Sequence, residues 1–546
     1  MTVPKPRTLV ALAAVACCAV AAAAVYQHHL GWNEESHFAQ VRAFDHGTAI
    51  IDHYRRTTGD RAYYHGHYYS DKAPGMALFL LPAYHFAVAT GIARPAGIGT
   101  MHLMVVFGCV LPLTIILLLA LWLVERRDPG YGPAVAITLG LATLFLPFAT
   151  VLFSHILSAC LGFAAFCLLW RERERQRDPA RGARLGLIAA AGLLVGYAIT
   201  VEYPIALLAA LLGLYVASLR APAKAVLAYG AGIAVGLAPL LLYDWWVFGS
   251  PLHISYDSVA ANSSGILGLG WPSLRVAVRL LTSNRGLFVV APVVAAAIAG
   301  MVVLYREGRR MDALVPALVL AVYFFYNICY YLPFGGAVPG PRFLITSLPF
   351  LAMPLAAAYR RARVATLMLA VASSATMAAA TLTLPILSIQ SSTRVWWNML
   401  SSGHFGTPDA NVAVFAVLAA SAIVLAVRAT PKLSLSRRDL ELAALGIGSW
   451  FALRSAGPTL LGHDHVTRQA WGMVVLIVAG LVITAVITRV ARGHGLAWLA
   501  AVPVVALAAR RFDHTTVALV LLAISVVLLV VFARTRRPVL VAGRQP

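Results

Sequence analysis

Stretches of roughly 20 apolar residues recur along nearly the whole chain, and nothing constrains its fold more. They fall at 8–26, 98–124, 133–152, 154–170, 186–201, 203–219, 224–245, 286–305, 312–331, 342–358, 364–387, 412–427, 438–453, 471–488, 496–509 and 515–533. In hydrocarbon every backbone N–H and C=O must be bonded within its own segment, so runs of this length are helices. Charged residues make up 12% of the 546, against about 25% in a soluble chain, and mean hydropathy is +0.80. A single buried core cannot absorb so much apolar surface. The expected fold is an all-α polytopic membrane protein with roughly fifteen crossing helices and almost no soluble domain.

Orientation follows from the basic residues. A formal charge of +22 would point to nucleic acid in a soluble chain, but here Lys and Arg cluster between apolar runs, as cytoplasmic loops do. Lys5 with Arg7, Arg126-Arg127, Arg171 to Arg184, Arg220 with Lys224, Arg306 to Arg310, Arg360 to Arg363, Arg428 to Arg438, Arg489 to Arg492 and Arg534 to Arg537 are placed inside. Run 74–91 is apolar enough to cross, yet a crossing there would put Arg126-Arg127 and the Arg171 cluster outside. It is expected to enter and leave from the outer face, as a re-entrant or juxtamembrane helix. Arg510-Arg511 breaks the alternation. The first run also has the form of a cleaved signal peptide, whose removal would leave the remaining topology unchanged. The six cysteines lie in or beside apolar runs, with neither a disulfide framework nor zinc spacing. Abundant Ala, Arg, Val and Leu fit a high-GC bacterial genome.

This topology leaves outer loops at 27–73, 246–285 and 388–411, with shorter turns at 202, 332–341 and 454–470. The cytoplasmic loops are short and basic and carry no Walker or Gly-rich nucleotide pattern. Chemistry is therefore expected outside, without ATP or a nucleotide sugar. Glu34 and Glu35 open a helical stretch in the first loop. Paired carboxylates there suit a general base, a metal ligand, or first-turn residues complementing the helix dipole behind an Asn33 N-cap. Lys72 precedes the semi-buried segment that begins at Pro74, placed to meet a lipid phosphate or to snorkel to the interface. His65-Gly66-His67 offers metal donors, while the same strand, with Tyr63, Tyr64, Tyr68 and Tyr69, reads as an aromatic interfacial segment. Glu202 is a carboxylate in a turn between two apolar helices, where an unpaired charge is expensive; it needs a cation or a site. Gly335-Gly336 and Gly340-Pro341-Arg342 put an arginine fork, suited to phosphate, at a helix start. His155 interrupts an apolar stretch near the outer face, as a structural histidine or as part of a site.

Taken in chain order, several segments resemble the bacterial GT-C glycosyltransferases. They are the acidic pair, Tyr68-Tyr69-Ser70-Asp71-Lys72-Ala73-Pro74-Gly75, Glu202-Tyr203-Pro204, Phe248-Gly249-Ser250-Pro251, Arg285-Gly286-Leu287-Phe288 with Pro292, and Gly335-Gly336 before Gly340-Pro341-Arg342. The nearest branch is that of protein O-mannosyltransferases and the lipid A aminoarabinose transferase. The likeness covers about residues 1–400 and implies a GT-C-like transmembrane catalytic module with a helical first outer loop. Residues 401–546 hold additional C-terminal transmembrane helices that match nothing in that family.

The resemblance implies a transferase that moves a sugar from a polyprenyl-phosphate donor to an envelope glycan, lipid or protein acceptor on the outer face, with inversion. It implies a catalytic acid at the start of the first-loop helix, a role that falls on Glu34 or Glu35. The family usually has Asp at that point, which keeps Asp52 and Asp60 in play. Lys72-Ala73-Pro74 matches the Lys-Pro-Pro segment of the aminoarabinose transferases and implies a phosphate contact for Lys72. Asp60, Tyr69, Lys72, His155, Glu202 and Arg342 make up the expected substrate-binding set. No cofactor is required; a divalent metal is compatible with a leaving phosphate whose charge Lys72 and Arg342 meet, but the step does not depend on one.

Two other classes share this composition. A secondary transporter or lipid-carrier flippase would show related halves and helices broken at mid-membrane, whereas no internal repeat is visible and the polar residues gather outside. A membrane acyltransferase or polymer ligase would share the outward site and rest on a histidine such as His155 or an arginine pair.

Overall fold

The computed structural model describes residues 6–28, 30–259, 268–386, 393–431 and 436–460; the runs expected at 471–488, 496–509 and 515–533 lie outside them. Within the described residues the chain is an all-α polytopic membrane protein. Eight helices are long and apolar enough to cross a bilayer: Arg7–Ala24, Ile98–Arg127, His155–Arg175, Pro222–Phe248, Arg310–Cys329, Arg342–Arg361, Arg363–Leu382 and Asp409–Ala429. A ninth span results if Leu274–Val290 and Val293–Arg306, bent by 90° at the break before Val293, count as one. Gly75–Ala89, Gly132–Leu141, Leu185–Val201 and Ile205–Ala217 are shorter apolar helices.

The number is below the sequence expectation partly because apolar runs need not be continuous helices. Run 133–152 ends its first helix at Leu141 and resumes only as the turn Phe145–Phe148 before His155. Run 342–358 begins as a ten-residue 3-10 helix, Arg342–Leu351, and becomes α-helical only at Ala352. Pro349 and Pro354 each remove a backbone donor from that segment.

Helix α1 (Pro6–Ala24) leads into the first long loop, which is only partly helical. It holds α2 (Trp32–Asp45), a 3-10 turn at Asp52–Tyr54, and an antiparallel hairpin of β1 (Arg61–Tyr64) and β2 (His67–Ser70). The hairpin turns at His65-Gly66, with φ of 47° and 90°, the left-handed pair that a two-residue turn between twisted strands requires. Then comes α3 (Gly75–Ala89), packed along α2. Its length, roughly 22 Å, is short of the ~30 Å of hydrocarbon.

Helices Leu185–Val201 and Pro222–Phe248 meet backbone to backbone. Gly192 and Gly196 face Gly232 and Gly236, and a Cβ on any of them would overlap the opposing main chain; at Gly196 it would lie 2.5 Å from the Ile233 carbonyl oxygen. Small residues four apart on both partners let helices approach this closely in lipid. Helix α3 docks on Leu185–Val201, since a Cβ at Gly75 would lie 2.6 Å from the Thr200 carbonyl. The turn at Glu202 is thereby held between fixed walls.

At the other end of the bundle, arginines from the expected cytoplasmic clusters pair inward. Arg127 meets Glu174 at 2.6 Å, Arg309 meets Asp128 at 2.8 Å, and Arg360 and Arg361 meet Glu307 at 2.5 and 2.6 Å. Helix Asp409–Ala429 packs along α1, with Arg7 donating to the Ala429 carbonyl at 2.6 Å.

Candidate functional site

Six segments distant in sequence meet around one small polar chamber that is partly open to solvent. Its walls are Asn33 from α2, Lys72-Ala73 after β2, Ser154-His155 at the start of helix His155–Arg175, Val201-Glu202-Tyr203, Tyr256 and Arg342.

Lys72 is buried, with Nζ 2.8 Å from Asp60 Oδ2 and 3.0 Å from Asp71 Oδ1. Burial works against its charge, but Asp71 and Asp60 outweigh it and raise its pKa, so Lys72 stays a cation. Burial also pushes Asp60 up, yet Lys72, then Arg342 and His37, hold its carboxyl below the ordinary carboxylate value. Asp71 goes the other way: its burial, helped by Asp60, exceeds the pull of Lys72 and lifts it. The two aspartates on one lysine thus differ, Asp60 ionised and Asp71 the readier to hold a proton.

Glu202 accepts a hydrogen bond from Ser154 Oγ, and His155 Nδ1 lies 3.4 Å from the same carboxylate. Burial raises its pKa against the opposing pull of Ser154, Arg342 and Lys72. Ser255 Oγ donates to the Asp71 carbonyl at 2.8 Å and lies 3.1 Å from the Tyr203 hydroxyl. That tie sets the 3-10 turn Ser255–Ser258, and with it Tyr256, over the chamber.

Arg342 enters from a glycine turn. Gly335 and Gly336 have φ of 77° and 112°, and Arg285 Nη1 donates to the Gly336 and Val338 carbonyls at 2.8 and 3.2 Å, which pins the turn. The Arg342 side chain runs across Gly335 so closely that a Cβ there would lie 2.6 Å from Cγ and Cδ. Its guanidinium rests over Phe343 and Phe153, 5.1 and 5.6 Å from the ring centroids. Among the described residues it forms no ion pair, and its buried Nε has no acceptor.

Of the residues singled out from the sequence, Lys72, His155, Glu202 and Arg342 line the chamber, and Asp60 joins it through Lys72. Glu34, Glu35, Asp52 and Tyr69 do not line it. Helix α2 starts behind Gly31, two residues earlier than an Asn33 cap would require. Glu34 is then the third helical residue, and its Oε2 accepts the Gly31 N–H at 2.6 Å, the reach-back of a capping box. Burial lifts its carboxyl to about 8, so it carries its own proton at neutral pH. Glu35 turns toward Arg42, 3.9 Å away. Asp52 accepts the Tyr68 N–H at 2.6 Å and pairs with His67 Nδ1 at 2.8 Å, tying the hairpin down. Tyr69 packs on Phe248, ring centroids 5.7 Å apart. Asn33 is the α2 residue that faces the chamber. Asp71 and Ser154 could have been found as the polar neighbours of Lys72 and His155; nothing in the pattern around Tyr256 marks it.

No protein-family model matches the chain, and neither does any curated protein. Solved structures do. ArnT from Cupriavidus metallidurans bound to undecaprenyl phosphate is similar with a TM-score of 0.47 at 15% identity, over 82% of this chain and 80% of that one. Its apo state gives 0.47 at 15% identity, over 85% and 83%. The apo oligosaccharyltransferase of Archaeoglobus fulgidus gives 0.41 at 11% identity over 81% of this chain, which spans 58% of that longer protein.

Proposed function

We propose that the chain is a membrane glycosyltransferase that takes a sugar from a polyprenyl-phosphate donor and passes it to an envelope acceptor on the outer face of a bacterial cytoplasmic membrane. The state of Arg342 carries this reading. A cation held over aromatic rings, without a carboxylate partner among the described residues, shares a chamber with Lys72 at the end of apolar helices. Two cations so placed suit an anion whose remainder is lipid, and the planar fork suits a phosphate. The order of motifs along the chain, similar to that of GT-C transferases, agrees.

Asp60 is the base in this scheme, because it is ionised, partly open and already at the cation. It takes the proton of the acceptor hydroxyl as that oxygen bonds to the anomeric carbon. The bond from that carbon to the phosphate oxygen breaks, its electron pair leaves with the phosphate, and Lys72 and Arg342 meet the charge. A single displacement of this kind inverts the anomeric centre. Phosphate that draws Lys72 Nζ away also frees Asp60 from its shortest bond and makes it more basic. Glu34 keeps a structural role.

Purified protein incubated with radiolabelled polyprenyl-phosphate sugars should transfer or hydrolyse at least one, and Arg342→Ala should abolish most of that activity. If none of the lipid-linked sugars is consumed and bare undecaprenyl phosphate does not bind, the proposal fails.

A further inference from the structure

Asn33, His37 and Gln40 are spaced four and three apart, so they share one face of α2. They are 7%, 0% and 0% exposed. Asn33 Oδ1, both ring nitrogens of His37 and Gln40 Oε1 have no hydrogen-bond partner, although buried polar atoms are nearly always paired. The face is held firmly: Ser36 Oγ donates to the Asp60 carbonyl at 2.6 Å and lies 2.8 Å from Ser70 Oγ, and Gln40 Nε2 donates to the Lys72 carbonyl at 3.3 Å. Its open groups are therefore not the result of a loose helix.

Their chemistry narrows what they would bind. Burial, then the charge of Lys72, takes His37 down to about 3, with Asp60 opposing, so the ring is neutral, with one donor and one acceptor nitrogen. The two amide oxygens accept. A neutral surface that both donates and accepts matches hydroxyl groups, which do the same. An anion would go to Lys72 and Arg342, and a cation to Asp60, Asp71 and Glu202.

We propose that this face of α2 is the sugar-binding wall of the chamber, with Asn33 and His37 hydrogen-bonding the hydroxyls of the transferred sugar while Lys72 and Arg342 hold its phosphate. The inference rests on the donor class proposed above. Asn33 lines the chamber as it stands; His37, one turn along and beside Lys72, is reached when Lys72 moves from the aspartates to the phosphate.

The test compares two ligands on protein in nanodiscs: bare undecaprenyl phosphate, and undecaprenyl phosphate bearing mannose, glucose or arabinose, whichever the wild type binds best. His37→Leu and Asn33→Ala should each weaken the sugar-bearing lipid about 5- to 10-fold, the loss of a neutral hydrogen bond, and leave the bare lipid within about twofold. His37→Gln keeps a donor and an acceptor and should recover most of the affinity. Equal loss for both lipids in both variants would assign the face to phosphate or to folding. No loss for either would make these atoms seats of buried water only. Either result overturns the proposal, as does a wild type that binds no sugar-bearing lipid better than the bare one. If His37→Leu alone loses both lipids, Asn33→Ala decides. A wild type that does not bind the bare lipid overturns the donor class, and this inference with it, and is recognisable because no variant is involved.

Discussion

Replacing Gly335 by alanine should disarm the chamber by displacing Arg342 without removing it. The new Cβ would lie 2.6 Å from Arg342 Cγ and Cδ, whereas carbon atoms in contact sit near ~3.5 Å, so the side chain must retreat by about 0.9 Å. Two costs follow. Holding alanine at φ 77° removes about 1–2 kcal/mol of stability. Displacing the guanidinium loses most of a charge-assisted hydrogen bond, worth about 1.5–3 kcal/mol, or roughly 10- to 150-fold in affinity for undecaprenyl phosphate. Gly47 separates the two effects, for it has φ +72° and nothing within 4 Å of its Cβ position. Gly47→Ala should melt earlier by a similar amount and bind the lipid normally. Calorimetric binding and thermal melting on both variants test this. Wild-type affinity in Gly335→Ala, or an equal loss in Gly47→Ala, would show that the placement of Arg342 does not govern phosphate binding.

Asp60→Asn should lower turnover by about 10²–10⁴ with lipid binding retained, while Glu34→Gln, Glu35→Gln and Asp52→Asn stay within about threefold; a radiolabel transfer assay ranks all four. Lys72→Ala should weaken undecaprenyl phosphate by about 1.5–3 kcal/mol, and Arg342→Lys should recover only part of what Arg342→Ala loses, because the fork is gone. Glu34 titrates near 8 in the fold against an ordinary 4.5, so the folded state binds the extra proton between those values. Its contribution is fully present below pH 4.5 and is lost as pH rises through 8; Glu34→Gln should flatten that part of the melting profile. Cysteines at exposed Thr57 and at Gly97, in a background without the native six, should both react with an impermeant maleimide in intact cells. Labelling at Thr57 alone would mean that α3 crosses.

The sequence showed the chamber best where a polar residue stood against its surroundings. Lys72, His155, Glu202 and Arg342 each interrupt or end an apolar run, an arrangement costly enough in lipid to mark them individually, and they converge. The crossing helices were legible for the same reason, though not their breaks: half of one run, Arg342–Leu351 with Pro349 inside it, is 3-10 helix, which hydropathy does not register. The first loop was harder. Asn33 and Glu34 are neighbours, and which of them faces the chamber depends on where α2 begins; moving the start by one residue rotates every side chain by about 100°. Glu34 supplies that start itself by capping Gly31. Asp60 and Lys72 meet only because a hairpin folds between them, and Tyr256 arrives from a loop without periodicity, held by a serine that binds the main chain of Asp71.

The glycine seam between Leu185–Val201 and Pro222–Phe248 bears on how the protein tolerates extraction. In a bilayer little is gained by hiding apolar side chains from lipid tails of equal polarity, so these helices are held by surface fit and short backbone contacts. Such a join does not depend on which amphiphile surrounds it. Transfer into detergent should therefore leave the pair intact, together with Glu202, Tyr203 and the docking point of α3, while helix Asp409–Ala429, whose outward face is largely exposed, loosens first. The chamber would then outlast the periphery during purification.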